Sequence, residues 1–167
     1  MIDWKYNPED YGKIKPITPG QYRVRIDEAE EQVSKKGYDM IKMTLKVSGY
    51  NQKVFEYLAF PPKEAPTNNA EREKYDNWVQ STNNKLGQIF DSFGIEPGNL
   101  NVLDWKGKVG AAEIKNEVDN QGNMQNRINF FIKRDKQASL PAWQENPVRQ
   151  AKVNTEMVNP DGNDCPF

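Results

Sequence analysis

The sequence predicts an all-β domain with one helix, in which three strands precede the helix and two follow it. Residues 38–60 alternate apolar and polar side chains with the period of two that is typical of half-buried strands. Residues 75–93 instead repeat large apolar side chains at intervals of three and four, the spacing of one helical face. Clusters of proline and glycine separate these segments and indicate turns.

Composition limits the chemistry of this domain. The 167 residues suffice for one domain with tails, and a hydrophobic content of 36% predicts that part of the chain lies outside the core. The chain has no histidine and one cysteine, Cys165, which excludes an internal disulfide, a Ser/His/Asp triad and the usual zinc sites. The sequence also lacks a glycine-rich phosphate loop and a tight carboxylate cluster. We therefore expect a protein that is not an enzyme and that needs no cofactor and no metal.

Hydropathy and charge indicate where the protein is located and which partners it can bind. No apolar run approaches the roughly 20 residues that span a bilayer, so we expect a soluble cytoplasmic protein without a membrane partner. The net charge of −1 argues against a uniformly basic surface, so a nucleic-acid site requires segregated charge. Lysines are concentrated in residues 35–53, whereas residues 154–167 carry acidic side chains and no basic one.

The first half of the chain predicts an irregular arm and three strands. Residues 1–18 show no period, and their aromatic side chains either pack on the domain, which we favour, or reach a partner. Pro19-Gly20 marks the turn into the first strand, and a basic glycine-containing loop joins residues 21–33 to the second strand. The alternation leaves open which residues of the third strand face outward: Phe55 with Tyr57, or Glu56 with Phe60.

The second half predicts the helix and two more strands. Asn68 or Asn69 suits a helix N-cap, and Gly94 is placed to end the helix. Residues 105–118 predict the fourth strand, with small residues where backbones approach closely. Residues 124–135 predict the fifth strand, and strict alternation places its outward face on one set of side chains: Arg127, Asn129, Phe131 and Lys133.

The order of three strands, a helix and two strands is that of the OB-fold, a five-stranded barrel with its helix between strands three and four. We therefore divide the chain into an N-terminal arm at 1–18, an OB-like barrel domain at 19–135 and a flexible C-terminal tail at 136–167. The tail prediction rests on prolines that alternate with polar residues and on the loss of any period after Lys136.

Several short motifs are distributed over residues 19–144: Pro19-Gly20-Gln21-Tyr22, Lys36-Gly37-Tyr38, the strand from Met40 to Val47, the helix end from Gly87 to Gly94, Trp105-Lys106-Gly107-Lys108, and Asn129-Phe130. With these motifs the chain resembles bacteriophage single-stranded DNA-binding proteins, in particular a family from phage replication and recombination regions first catalogued without a function. The resemblance implies an OB barrel that binds single-stranded DNA in the host cytoplasm during phage replication and recombination.

The predicted DNA site combines cations for phosphates with rings on which bases stack, an arrangement that tolerates any base sequence. The cations are Lys35, Lys36, Lys42, Lys46, Lys53, Arg127, Lys133 and Arg134. The rings are Tyr38, Phe55, Tyr57 and Phe131. The alternative is a protein-interaction adaptor that does not bind DNA, because OB-like barrels serve both purposes and the net charge is near zero.

The last residues resemble the acidic tail of bacterial single-stranded DNA-binding proteins, which ends in Asp-Ile-Pro-Phe and docks on repair and replication enzymes. The matching residues here are Asp161, Asp164, Pro166 and Phe167. Two features depart from that pattern, since Cys165 replaces the usual isoleucine and only two aspartates precede it. The resemblance implies phage or host replication and recombination proteins as tail partners, while self-association of the barrel is left open.

Overall fold

A computed structural model describes residues 1–12 and 16–145, and these form one antiparallel sheet with one α-helix. The strands are β1 (Gly20–Val33), β2 (Asp39–Val47), β3 (Lys53–Ala59), β4 (Val109–Val118) and β5 (Met124–Phe131). The helix, α1 (Asn69–Phe93), lies between β3 and β4, so the predicted all-β class with one helix after the third strand is confirmed. Short 3-10 helices occur at Pro8–Asp10, Val102–Trp105 and Arg134–Lys136.

The sheet is open and strongly curled. Its strand order is β3-β2-β1-β4-β5, and each neighbouring pair is antiparallel. The long β1 pairs with β4 through its first residues and with β2 through the rest, and a bulge between Ile26 and Glu28 adds twist. The edge strands β3 and β5 consequently approach until Cα atoms lie within 8 Å of each other, although no ladder joins them in the described residues. We call this junction the seam.

Alternate side chains of the curled sheet enclose the core. Ile41, Met43, Leu45 and Val47 of β2 are all buried, as the strand period requires. The helix α1 closes one end of the sheet with Phe93, which is 2% exposed. Gly110 permits this contact, because a Cβ at that position would lie 2.8 Å from Phe93 Cδ1 and 2.9 Å from the Ser92 carbonyl oxygen.

Local signals define the helix ends correctly. The Asn68 side chain accepts a hydrogen bond of 2.9 Å from the Ala70 backbone N–H, which satisfies one free donor of the first turn. Gly94 ends the helix with φ of 67°, a left-handed conformation that favours glycine. No helix of the described residues is long and apolar enough to cross a membrane.

Two predicted strand boundaries are wrong. The fourth strand begins at Val109, because Trp105 belongs to a 3-10 helix and is fully buried, with its indole N–H donating to the Asn99 carbonyl at 2.9 Å. The fifth strand ends at Phe131 and not at residue 135, since the chain turns into the 3-10 helix at Arg134–Lys136.

The two ends of the domain also differ from the prediction. Trp4, Tyr6 and Tyr11 are 66–84% exposed, so the expected packing of the arm on the domain is wrong. Ile17 is instead part of the core, and the Asn126 side chain binds both its N–H and its carbonyl at 2.8 and 2.9 Å.

The C-terminal segment does not leave the domain at residue 135. Residues 137–145 lie against β1 and β2, and the Arg23 guanidinium donates to the Pro141 and Gln137 carbonyls at 2.8 and 3.1 Å. Residues 137–145, which the sequence places in the flexible tail, therefore pack on the sheet. The predicted docking tip of Asp161, Asp164, Pro166 and Phe167 lies outside the described residues.

Candidate nucleic-acid interface

The outward face of β2 and β3 carries the central group of predicted site residues. Lys42 is the register partner of Tyr57, and Thr44 is the partner of Phe55, so these side chains share one face. Phe55 and Tyr57 are 40% and 45% exposed, whereas Val54 and Leu58 are buried. The open question about β3 is thereby answered: Phe55 and Tyr57 face outward.

The ammonium group of Lys42 lies beside both rings. Its Nζ is 5.0 Å from the ring centre of Phe55 and 6.0 Å from that of Tyr57. Cations within about 6 Å of an aromatic ring are attracted to its electron-rich face. The pairing holds a positive charge between two rings that remain accessible, which is the combination that a stacked base and its phosphate require.

The seam adds a second group of cations to these rings. A cleft of about 270 Å³ opens between β3 and β5, and its lining includes Phe55, Tyr57, Lys115 and Arg127. Lys115 and Arg127 are register partners across β4 and β5, so two like charges face each other there. Two like charges opposite each other destabilise the sheet when no anion is bound, and a bound anion relieves their repulsion. Lys115 was not among the predicted site residues, although it occupies an outward position of the predicted fourth strand.

Two carboxylates, those of Glu56 and Glu117, also line this cleft. Glu56 lies between the buried positions of β3, and burial is the main reason that its pKa is raised above the ordinary value of 4.5. Lys85 of α1, 3.8 Å away, opposes this shift, as does the charge of Arg127. The Arg127 guanidinium thus serves partly to balance Glu56. The two cations of the lining, Lys115 and Arg127, are matched in number by the carboxylates of Glu56 and Glu117, and Lys42 is not among the lining residues.

Lys46 is not free in this structure. Its Nζ donates to the backbone carbonyl of Glu145 at 3.0 Å and lies 3.1 Å from the Glu145 carboxylate. Only 15% of the Lys46 side chain is exposed. The predicted phosphate contact of Lys46 is therefore occupied by a carboxylate of the same chain.

The loop between β1 and β2 presents Lys35 and Lys36 to solvent. The loop is closed by a hydrogen bond of 2.8 Å from the Ser34 N–H to the Tyr38 carbonyl. The Tyr38 ring packs edge-to-face on Trp78 of α1, with ring centres 4.9 Å apart. The half-buried Tyr38 therefore packs between the sheet and the helix, and its role as a stacking ring stays a prediction.

The prediction for Phe131 is wrong, and a β-bulge is the reason. Ile114 pairs with Ile128 and Glu113 pairs with Phe130, so Asn129 is an extra residue in β5. The extra residue reverses the alternation after it, which turns Phe131 into the core at 2% exposure. There its ring centre lies 5.5 Å from that of Phe93.

Lys133 and Arg134 lie apart from the aromatic pair. They line an open cavity of about 660 Å³ beside α1, which shares no lining residue with the seam cleft. The Arg134 backbone N–H donates to Asp91 at 3.1 Å, and its guanidinium lies against Gly94. The structure therefore supports Arg134 as a residue that fixes the chain after β5, and it does not join these two cations to the Lys42 face.

Within residues 1–12 and 16–145, no three His, Cys, Asp or Glu side chains are grouped so that they could hold a metal ion. The site that the structure does assemble consists of Lys42, Phe55 and Tyr57, with Lys115 and Arg127 across the seam.

The fold and this site define a small curled antiparallel sheet with an aromatic and cationic outer face. The chain belongs to the family described as protein of unknown function (DUF669), whose model matches residues 5–141. That match covers the sheet, the helix and most of the segment that follows β5. No curated protein matches the chain.

Proposed function

We propose that this protein binds single-stranded DNA without sequence preference and catalyses no reaction. The observation that carries the proposal is the position of the Lys42 ammonium between the exposed rings of Phe55 and Tyr57. Bases stack on such rings through a π-face that all four share, while the adjacent cation attracts the phosphate. The outer face of strands two and three is also where OB-like barrels bind oligonucleotides.

The shape of the seam favours a single strand over a duplex. The cleft between β3 and β5 holds about 270 Å³ and combines the two rings with Lys115 and Arg127. A strand whose bases are unpaired can stack one base on β3 and pass its backbone to these cations. The bases of a duplex are stacked on one another, so their faces are not offered to the rings.

The biological setting is proposed from the sequence resemblance. The protein acts in the cytoplasm of a phage-infected host, where it covers single-stranded DNA during replication and recombination. Its C-terminal tip, which contains Pro166 and Phe167, recruits partner proteins of those processes. Deletion of residues 161–167 is expected to keep DNA binding and to abolish partner recovery in pull-downs from infected-cell extract. Recovery of the same proteins without the tip would contradict the docking role.

The DNA proposal is tested by fluorescence-polarisation titration of a labelled oligo-dT at low and high salt. We expect affinity to fall with rising salt at a log–log slope of about −0.7 for each phosphate neutralised. A duplex of equal length should compete poorly. Equal affinity for duplex and single strand, or no binding at low salt, would contradict the proposal.

A protein-interaction adaptor is the second candidate, and one observation favours it. The second half of β1 carries Glu28, Glu30 and Glu31, and Glu30 is the register partner of Lys42. This acidic stretch repels phosphates beside the proposed face. The oligo-dT titration separates the two candidates, since an adaptor shows no salt-dependent affinity for the strand.

A further inference from the structure

Three cations form one row across the outward face of the sheet. Arg25 of β1 is the register partner of Lys46 of β2, and Lys46 is the partner of Lys53 of β3. Like charges directly opposite one another on neighbouring strands are destabilising unless an anion compensates them. The row therefore has the composition of an anion site.

A carboxylate of the same chain occupies this row. Glu145 accepts from the Arg25 Nη1 at 2.7 Å, and its other oxygen lies 3.1 Å from the Lys46 Nζ. The Trp143 indole N–H donates to the same Glu145 at 2.9 Å, and the Arg25 guanidinium lies 5.1 Å from the Trp143 ring centre. Asp27 binds the Arg25 Nε at 2.7 Å, which fixes the guanidinium with Nη1 toward Glu145.

The occupied site has an accessible side. The Glu145 side chain is 58% exposed, and Lys53 at the end of the row is exposed as well. The hydrogen bonds from Trp143, Lys46 and Arg25 lower the pKa of Glu145 to about 2. At neutral pH the carboxylate is charged, so an incoming phosphate would replace one anion by another.

The segment around Glu145 is held by two separate sets of contacts. Near Glu145, the Gln144 N–H donates to the Ser48 hydroxyl at 2.9 Å, and the Gly49 N–H donates to the Gln144 carbonyl at 3.2 Å. Further upstream, Arg23 binds the Pro141 carbonyl at 2.8 Å. Residues 143–145 are thus held by contacts that are separate from those of Arg23 with the residues before them.

We propose that the row of Arg25, Lys46 and Lys53 is a phosphate site for single-stranded DNA, at which a backbone phosphate replaces the Glu145 carboxylate. The proposal rests on the proposed DNA-binding function and extends its surface to β1. The exchange is chemically matched, because guanidinium and ammonium groups bind carboxylate and phosphate oxygens with the same donors. Trp143 leaves the Arg25 guanidinium together with Glu145.

The first experiment compares Glu145→Gln with Glu73→Gln, which makes the same charge change on the exposed face of α1. Removing the competing charge should tighten oligo-dT binding roughly two- to fivefold at low salt, the range expected for an exposed ion pair. The salt slope should also steepen, because solution anions then occupy the row in place of the internal carboxylate and are released when the phosphate binds. Glu73→Gln should match the wild type. Equal affinity of the two variants would overturn the proposal.

The second experiment measures amide hydrogen exchange with and without oligo-dT. Binding usually protects amides, whereas here it should accelerate exchange several-fold at Gly49 and Gln144, whose hydrogen bonds hold the displaced segment. The Leu140 N–H, which donates to the Gln137 carbonyl at 3.0 Å, is the internal control and should not change. Unchanged or slower amide exchange at Gly49 and Gln144 in the bound protein would overturn the proposed replacement of Glu145 by a phosphate.

Failure of the proposed DNA-binding function and failure of the phosphate site give different experimental results. If neither the wild type nor Glu145→Gln binds oligo-dT, the proposed function itself is wrong. If both bind with equal affinity and slope, DNA binding stands and the row is only the place where the C-terminal segment is anchored. Arg25→Gln then has no effect on affinity, whereas the phosphate site predicts weaker binding for the double variant Arg25→Gln/Glu145→Gln than for Glu145→Gln.

Discussion

Lys42 Nζ lies 5.0 Å from the ring centre of Phe55, on the strand next to its own, and both side chains face away from the core. The pair depends on strand register alone, since β2 and β3 are joined by a short turn and paired from Met40 with Ala59 to Lys46 with Lys53. A cation beside an accessible ring is the smallest unit that can hold one nucleotide, because it meets the phosphate and the base together.

Lys42→Gln should flatten the salt dependence of oligo-dT binding. Loss of one phosphate contact changes the log–log slope by about 0.7. Lys74→Gln, which removes the same charge from the exposed face of α1, should leave the slope as in the wild type. Fluorescence-polarisation titrations at several salt concentrations measure both slopes, and an equal change in the two variants would indicate a general effect of net charge.

Phe131→Ala and Phe130→Ala should differ strongly in stability. Phe131 is 2% exposed and packs on Phe93, so its truncation should cost about 3–5 kcal/mol of the free energy of unfolding. Phe130 is 37% exposed, and its truncation should cost much less. Urea unfolding measures both. Equal losses would contradict the bulge at Asn129 that turns one ring inward and the other outward.

Glu56 should make the stability of the domain depend on pH. Its pKa is raised above 4.5 in the folded state, chiefly by burial, so the folded protein binds this proton more tightly than the unfolded chain does. The contribution of the carboxyl is complete below 4.5 and is lost as pH rises through the folded pKa. The free energy of unfolding of the wild type should therefore fall as pH rises from 4.5 through the folded pKa of Glu56. The Glu56→Gln variant should not show this fall. Urea unfolding between pH 4 and pH 7, with Glu73→Gln as the control, measures it, and an unaltered pH profile would contradict the burial of Glu56.

The sequence predicted the features that local chemistry determines. The helix begins after Asn68 and ends at Gly94 because of the side-chain and backbone preferences of these two residues. The alternation of apolar and polar side chains in residues 40–47 determines the two faces of β2. These signals require no knowledge of distant residues. The order of the elements along the chain and the outward position of Lys42 were therefore accessible from the sequence.

The features that the sequence did not predict are side-chain environments that depend on residues distant in the sequence. The direction of Phe131 depends on a bulge opposite Glu113 and Ile114, and nothing in β5 alone marks Asn129 as the extra residue. The environment of Lys46 depends on Glu145, which is 99 residues away and belongs to a segment without any period. Tyr38 likewise meets Trp78 only because the helix folds back on the sheet. Pairs of this kind cannot be found from a single sequence by periodicity.

The aromatic pair of β3 provides the most direct test of the account. The double variant Phe55→Ala/Tyr57→Ala keeps Lys42 and every core residue, and Tyr11→Ala removes a more exposed ring from the N-terminal arm as the control. Each stacked base contributes about 1–3 kcal/mol, so the double variant should bind oligo-dT at least tenfold more weakly while its unfolding transition stays near that of the wild type. Wild-type affinity in the double variant would contradict the assignment of this face as the DNA site.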